Sequence, residues 1–141
     1  MSDLSRAKKL LAEGGYTCAL CRGESEYTSE QRGVKPLVQW VEQGTDLVGY
    51  SAADKVIGRA TAFLYVLLGV RAVYGRVISR TALAVLTSAD IAVEYRDAVP
   101  NIINRQGDGI CPFEAAVLDI DEADKAYAVI REKMRQMGIE L

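Results

Sequence analysis

Residues 51–69, SAADKVIGRATAFLYVLLG, decide the fold because they hold the most apolar segment of the chain. The second half of this segment is apolar on nearly every side of a helix, and a helix of that kind is buried in a globular domain. Ser51 is a good N-cap residue, and Asp54 follows it at capping-box spacing, with Asp in place of the usual Glu. We therefore predict a central helix over residues 52–68, which Gly69 ends.

Helical and extended segments alternate on both sides of this central helix. Upstream, the pattern predicts a helix at 3–13, a hairpin of strands at 16–21 and 25–29, a helix at 36–43 and a strand at 47–50. Downstream, it predicts strands at 71–78 and 91–95, a helix that Ser79 caps, a short helix from Pro112 and a last helix that Asp119 or Asp121 caps. This alternation predicts one α/β domain over residues 1–141, a three-layer α/β/α sandwich with a mixed, mostly parallel sheet.

The composition excludes several classes of site and partner. The 141 residues carry a net charge of −2, which gives no basic face for duplex nucleic acid, and no stretch approaches the roughly 20 apolar residues of a membrane span. The three cysteines are an odd number, against a disulfide framework, and the N-terminus lacks the apolar core of a signal peptide. We therefore expect a cytoplasmic protein. The chain has no histidine, which removes histidine-based triads and every zinc site that contains histidine.

Cys18 and Cys21 have the spacing of a redox motif, but they lie in a predicted strand. Side chains three residues apart on a strand point to opposite faces. We interpret both cysteines as core residues, and we interpret Tyr74 and Tyr95 as structural.

A second polar turn precedes a helix at residues 104–114, NRQGDGICPFE. Gly107 and Gly109 permit a backbone nest that could hold an anion, although the same glycines suit an ordinary turn. Asn104 and Arg105 lie in this loop and could hydrogen-bond a ligand. The segment is a second candidate for a binding site.

The charged and nucleophilic side chains at the two helix starts each admit a plain structural interpretation. Cys111 at a helix N-terminus has the setting of a reactive thiolate, whereas Glu114 and Asp54 also fit a simple capping role in a first turn. The helix dipole disfavours Lys55 at such a start, so this side chain points to solvent, pairs with a carboxylate or completes an anion site. Arg32, after the hairpin, is a basic loop residue that solvation alone would explain.

The order of elements, from the hairpin through the central helix to a Cys-Pro loop, resembles the cytidine-deaminase-like fold. More narrowly, the chain resembles a small family of uncharacterised bacterial proteins with that fold. The shared pattern consists of the Ser29-x-x-Arg32-Gly33-x-x-Pro36 loop, the Ala-Asp-Lys-x-x-Gly helix start, the Val73-Tyr74 strand and the Cys-Pro-x-Glu helix start. The resemblance covers nearly the whole chain and implies no established activity.

In zinc deaminases the metal lies between two helix N-termini, one with His-x-Glu or Cys-x-Glu and one with Pro-Cys-x-x-Cys. The resemblance puts Ala52 at the first ligand and Asp54 at the proton-shuttling Glu. It puts Cys111 at the second ligand and Glu114 at the third. Two of three ligands are changed and Ala52 has no donor atom, so we expect no metal, no other cofactor and no ordinary zinc-dependent deamination.

From these residues and this resemblance we expect a domain that binds a small anionic or nucleotide-like ligand. The expected binding residues are Ser51, Lys55, Asn104, Arg105 and Arg32.

Two other functions stay open. One is an enzyme of another class, in which Cys111 is the nucleophile and Asp54 or Glu114 the acid or base. The other is an interaction module, since the resemblance implies homo-oligomers, which are common in that fold.

Overall fold

The computed structural model describes residues 1–104 and 106–141, in which five strands and six helices alternate. In chain order the described elements are α1 (Asp3–Glu13), β1 (Cys18–Arg22), β2 (Ser25–Ser29), α2 (Lys35–Gln43), β3 (Ser51–Ile57), α3 (Arg59–Leu68), β4 (Ala72–Ser79), α4 (Arg80–Ser88), β5 (Ala92–Val99), α5 (Pro112–Ala116) and α6 (Ala123–Gln136). None of these helices is long and apolar enough to cross a membrane.

Local signals begin and end several of these helices, and those at Ser79 and Gly69 are as predicted. At the start of α1, Ser2 Oγ accepts a hydrogen bond from the Ser5 amide at 3.1 Å. At the start of α4, Ser79 Oγ accepts one from the Ala82 amide at 3.1 Å. Gly69 ends α3 in the left-handed region, with a φ of 75°. The hairpin of β1 and β2 is also confirmed, because both strands pair in antiparallel register.

The strands form one mixed sheet in the order β2-β1-β3-β4-β5. Strand β1 runs antiparallel to β2 and β3, whereas β4 runs parallel to β3 and β5. The predicted α/β class and mixed sheet are confirmed. The sheet is not mostly parallel, because the hairpin strand β1 accounts for two of the four pairings among the described strands.

Helices cover both faces of the sheet. Helix α1 packs on one face, where Ala7 and Leu11 meet Cys21 and Ala53 in a small apolar cluster. The main core lies on the other face, where α2, α3, α4 and α6 bury their apolar side chains around α3. Cys18 belongs to this main core, so the two cysteines of the predicted strand are buried on opposite faces, as predicted.

The largest error of the sequence-based prediction concerns Ser51–Ile57, which is the central strand β3 and not the beginning of a helix. Strand β3 pairs with β1 on one side and with β4 on the other. Ala52 and Ala53 are fully buried, one toward each helix layer. Backbone pairing on both sides and burial on both faces override the helix propensity of the two alanines.

Helix α3 begins only after Gly58, which is its N-cap residue in an extended conformation. The predicted capping box of Ser51 and Asp54 is wrong, because both residues lie on a strand. Asp54 Oδ1 instead accepts a hydrogen bond from the Val56 amide at 3.2 Å. The predicted strand at 47–50 is also wrong, because these residues form the turn before β3.

The C-terminal third differs from the prediction in smaller ways. Strand β5 extends to Val99, four residues beyond the predicted strand at 91–95. Helix α6 begins after Glu122 without a side-chain cap, so the predicted caps Asp119 and Asp121 are wrong. The Asp121 carboxylate is used elsewhere, since it forms an ion pair with Arg59 at 3.1 Å.

Candidate functional site

The N-termini of α3 and α4 lie together, and the carboxylate of Glu114 joins them. This side chain is 1% exposed. Its Oε2 accepts a hydrogen bond from the Arg59 amide at 2.8 Å, and its Oε1 accepts one from Thr81 Oγ1 at 3.0 Å. The helix dipole favours a negative charge at this position, and the carboxylate satisfies a free amide of α3. Glu114 therefore caps α3 and not its own helix α5.

The space around this carboxylate is filled by protein. A Cβ on Gly58 would lie 2.2 Å from Glu114 Oε2, so the backbone of α3 approaches the carboxylate as closely as glycine permits. The buried Arg59 guanidinium donates to the carbonyls of Val117 and Ile120, which fixes the segment after α5 against α3. An external anion at the start of α3 would have to displace Glu114.

Asp54 lies in the middle of β3 on the face of the main core and is partly buried. Tyr65, on α3, donates a hydrogen bond from its hydroxyl to Asp54 Oδ2 at 2.6 Å. Burial raises the pKa of the Asp54 carboxyl to about 6, and the Tyr65 hydrogen bond opposes this shift. Cys18 is the cross-strand partner of Asp54, and burial raises the pKa of its thiol well above the usual value, with the Asp54 charge adding to the effect. Asp54 is thus a carboxyl that can exchange a proton near neutral pH, and it accepts hydrogen bonds from the Tyr65 hydroxyl and the Val56 amide.

On the other face of the sheet, a row of side chains lies against α1. Ala53 and Tyr74 pair across β3 and β4 and both pack against α1. Glu94 continues this row on β5. Lys8 of α1 lies 4.6 Å from the centre of the Tyr74 ring and forms an ion pair with Glu94 at 2.8 Å.

Two residues further along each strand, three cations occupy the next row on this face, because strand side chains alternate. Lys55, Arg76 and Arg96 lie at the same level of β3, β4 and β5, between the paired residues Asp54, Gly75 and Tyr95 on one side and Val56, Val77 and Asp97 on the other. We call these three residues the basic row. Adjacent strands lie about 5 Å apart, so the row spans about 10 Å. Lys55 and Arg76 are partly buried and form no ion pair among the described residues, whereas Arg96 is exposed and pairs with Asp97 at 2.9 Å.

Sequence reasoning missed Arg76 and Arg96 because it placed Lys55 at a helix start. On a helix, Lys55 has no fixed relation to side chains of β4 or β5. The signal that finds the row is the alternation of three neighbouring parallel strands, which requires β3 to be identified as a strand first.

The remaining predicted ligand residues do not gather around Asp54 or Glu114. Ser51 is buried at the beginning of β3, at the opposite end of the strand from Gly58. Asn104 uses its own side chain within its loop, where Oδ1 accepts a hydrogen bond from the Gly107 amide at 2.9 Å. Arg32 is an exposed residue of the segment before α2. Arg105 lies outside the described residues.

Cys111 is the N-cap residue of α5, a helix of five residues. Its side chain makes no capping hydrogen bond and packs partly buried against the main core. The hydrogen-bond partners of Asp54 are Tyr65 and Val56, neither of which is shared with Cys111. These contacts assemble no nucleophile with an adjacent base.

No metal site accompanies these residues in the described part of the chain. Residues 1–104 and 106–141 contain no group of three or more His, Cys, Asp or Glu side chains that could hold a metal ion. Two shallow surface cavities border α6, and neither is lined by a residue of the predicted site or of the basic row.

Comparisons with known proteins identify a family and a fold. A family model described as "TM1506: Domain of unknown function (DUF1893)" matches residues 6–134. The chain is also similar to the crystal structure of a DUF1893 family protein, TM1506, from Thermotoga maritima. The two chains are 25% identical with a TM-score of 0.86, and the match covers 94% of this chain and 91% of that one. None of the curated proteins matches the chain.

Proposed function

The chain belongs to the DUF1893 family, a domain of unknown function, and from its own residues we propose that it binds a small anionic, nucleotide-like ligand. The observation that carries this proposal is the basic row of Lys55, Arg76 and Arg96 across three neighbouring strands. Here Lys55 has the binding role that the sequence indicated, but with partners that lie on β4 and β5.

The basic row is costly in the absence of an anion. Like charges directly opposite each other on neighbouring strands destabilise a sheet by a few tenths of a kcal/mol to about 1 kcal/mol per pair. The row brings Lys55 and Arg76 to the same level of neighbouring strands, and their partial burial reduces the screening of this repulsion by water. A bound anion would be attracted to all three cations and would offset their mutual repulsion. Such a ligand would therefore explain why the cations lie together.

The geometry of the row favours an elongated anion with more than one negative group. A single phosphate would meet one or two cations, whereas a diphosphate can extend along the roughly 10 Å that three strands span. Arg offers a planar fork of donors for phosphate oxygens and Lys a point charge, so the row combines both kinds of phosphate donor. Three cations are too few for the extended basic face that duplex nucleic acid requires.

We also propose that the fold is of the cytidine-deaminase-like type. The described elements follow the order on which that resemblance rests, and Glu114 of the Cys-Pro-x-Glu segment accepts a hydrogen bond from the Arg59 amide at the start of α3. Its carboxylate also accepts a hydrogen bond from the Thr81 hydroxyl at the start of α4. These residues do not fit a catalytic zinc, which needs three protein ligands. The proposed ligand site, the basic row, lies on the other face of the sheet.

A cytoplasmic location is part of the same proposal. Cys18, Cys21 and Cys111 all have free thiols, which is typical of proteins in reducing compartments. Phosphate-bearing small molecules of the proposed class would be met there.

The ligand class can be tested by thermal unfolding in the presence of ADP, pyrophosphate and adenosine. We expect ADP and pyrophosphate to raise the Tm, by an amount that corresponds to about 2.7 kcal/mol at a ligand concentration 100 times the Kd. Adenosine, which has no charge, is expected to leave the Tm unchanged. Added salt should reduce the shifts, because the attraction is electrostatic.

A pair of lysine variants provides the control. Lys55→Gln removes a member of the basic row and should reduce the Tm shift, whereas Lys9→Gln removes an exposed lysine of α1 and should not. Equal shifts with adenosine and ADP, or no shift with either anion at about 10 mM, would contradict the proposal.

A further inference from the structure

We propose that two copies of this chain associate through β5, which pairs antiparallel with β5 of the partner about a two-fold axis at Tyr95. The inference rests on the unpaired outer edge of β5 together with the order of charges along it. It concerns a surface that the ligand proposal uses only at Arg96.

Strand β5 is an edge strand of the sheet. Its one partner among the described strands is β4, and most of its eight residues are exposed. Native edge strands are usually short, bulged, covered, interrupted by proline or charged, and β5 has only charges of this kind, at Glu94, Arg96 and Asp97. β5 is as long as β4, pairs with it without a bulge, and contains no proline between Ala92 and Val99. Tyr95, at its centre, is 47% exposed.

The charges along β5 select one way of pairing two copies. A two-fold axis makes the pairing of identical strands antiparallel and self-complementary. With the axis at Tyr95, Glu94 faces the partner's Arg96 on one face of the sheet, and Arg96 faces the partner's Glu94. Among two-fold registers centred from Glu94 to Arg96, this is the one that sets opposite charges directly across from each other.

Neighbouring registers are less favourable. An axis at Glu94 sets Glu94 against the partner's Glu94, and an axis at Arg96 sets Arg96 against the partner's Arg96. In both registers like charges face each other. An axis between Tyr95 and Arg96 would set residues of opposite faces directly against each other, such as Glu94 and the partner's Asp97, which antiparallel pairing does not allow. The axis at Tyr95 also aligns Ala92 with the partner's Ala98 and stacks two exposed tyrosines on the opposite face, so it uses nearly the whole strand.

The pairing would link self-association to the ligand site. In the pair, Arg96 faces a carboxylate of the partner, whereas in the proposed ligand complex it faces an anion. The Arg96 guanidinium cannot contact the partner's carboxylate and a bound anion equally well at the same time. We therefore expect anion binding to lower the dimerisation affinity, and dimerisation to lower the anion affinity by the same factor. This linkage rests on the proposed function, whereas the pairing itself does not.

Charge reversal tests the register, with sedimentation velocity over a concentration series as the readout. The wild-type chain should dimerise in a concentration-dependent way. Glu94→Arg and Arg96→Glu should each weaken dimerisation by about tenfold or more, because both cross-strand pairs become repulsive. The double variant Glu94→Arg/Arg96→Glu restores opposite charges in reversed order and should recover most of the affinity.

The design separates the two proposals and guards against misfolding. Glu94 and Arg96 are exposed, and circular dichroism of each variant confirms that the fold is kept. The ion pair between Lys8 and Glu94 is lost equally in Glu94→Arg and in the double variant, so the comparison of these two isolates the contact between copies. A wild-type chain that stays monomeric up to about 1 mM, or a double variant no better than the singles, would overturn the pairing. Dimerisation that is insensitive to pyrophosphate would leave the pairing intact and count against the ligand site.

Discussion

The buried carboxylate of Glu114 occupies hydrogen-bond donors that could otherwise bind an external anion. It accepts hydrogen bonds from Arg59 at the start of α3 and from Thr81 at the start of α4. Both are donors that an external anion would otherwise use. The chain itself therefore supplies the negative charge at these helix N-termini, and Glu114 has a structural role that holds α5 against α3 and α4.

Replacement of Glu114 should accordingly cost stability. Glu114→Ala removes a helix cap and leaves a buried amide and a partly buried hydroxyl without their acceptor, which we expect to lower the free energy of unfolding by about 3 kcal/mol. Glu114→Gln keeps one acceptor oxygen and should cost clearly less. Urea denaturation measures both values, and a loss below about 0.5 kcal/mol for the alanine variant would contradict the capping role.

Asp54 makes stability depend on pH with an unusual sign. Its pKa is about 6 in the folded chain and about 4 in an unfolded one. The folded state therefore holds this proton more tightly, so the contribution of Asp54 is complete below about pH 4 and is lost as the pH rises through 6. The loss is at most about 3 kcal/mol, and less to the extent that water reaches the carboxyl.

Asp54→Asn removes this dependence. The unfolding free energy of the wild type minus that of the variant should fall between pH 4 and pH 7 and then stay level. Urea denaturation at several pH values measures the difference, from which other titrating groups cancel. A difference that is flat, or that rises with pH, would show that Asp54 titrates normally.

Strand β3 explains most of what the sequence could and could not predict. The hairpin, α2, β4 and α4 were predictable because caps, turns and a regular alternation mark them locally. Ser51–Ile57 carries no such alternation, because a central strand is buried on both faces. Its small residues and the Asp-Lys pair resemble the first turn of the apolar helix that follows, so the boundary was placed seven residues too early. Only pairing with β1 and β4, which is non-local, identifies the strand.

Gly58 is the boundary that this error missed, and its role can be tested. Its extended backbone suits any residue, so a penalty for alanine must come from contact with Glu114 Oε2, 2.2 Å from the added Cβ. We expect Gly58→Ala to cost about 2 kcal/mol. In the Glu114→Ala background the same change should cost less than about 1 kcal/mol, because the clashing oxygen is gone. Equal costs in both backgrounds, measured by urea denaturation, would place the strain elsewhere.

The whole chain divides its polar chemistry between the two faces of the sheet. Asp54 and Glu114 lie with the main core, where tyrosine, threonine and backbone groups of α3 and α4 engage them. The basic row lies on the face of α1 and has no such internal partners for Lys55 and Arg76 among the described residues. The sequence indicated the right kinds of side chain but could not assign them to faces, because faces depend on strand register.

This division makes the account testable at Arg76, the middle member of the row. Arg71 is the control, since it is an exposed arginine immediately before β4 and outside the basic row. The direct measurement is a calorimetric titration of pyrophosphate into the wild type, Arg76→Gln and Arg71→Gln. We expect Arg76→Gln to weaken binding by about tenfold or more, since a hydrogen bond to a charged group contributes about 1.5–3 kcal/mol. Arg71→Gln should bind as the wild type does. A wild type that does not bind pyrophosphate, or an Arg76→Gln variant that binds it equally well, would contradict the account.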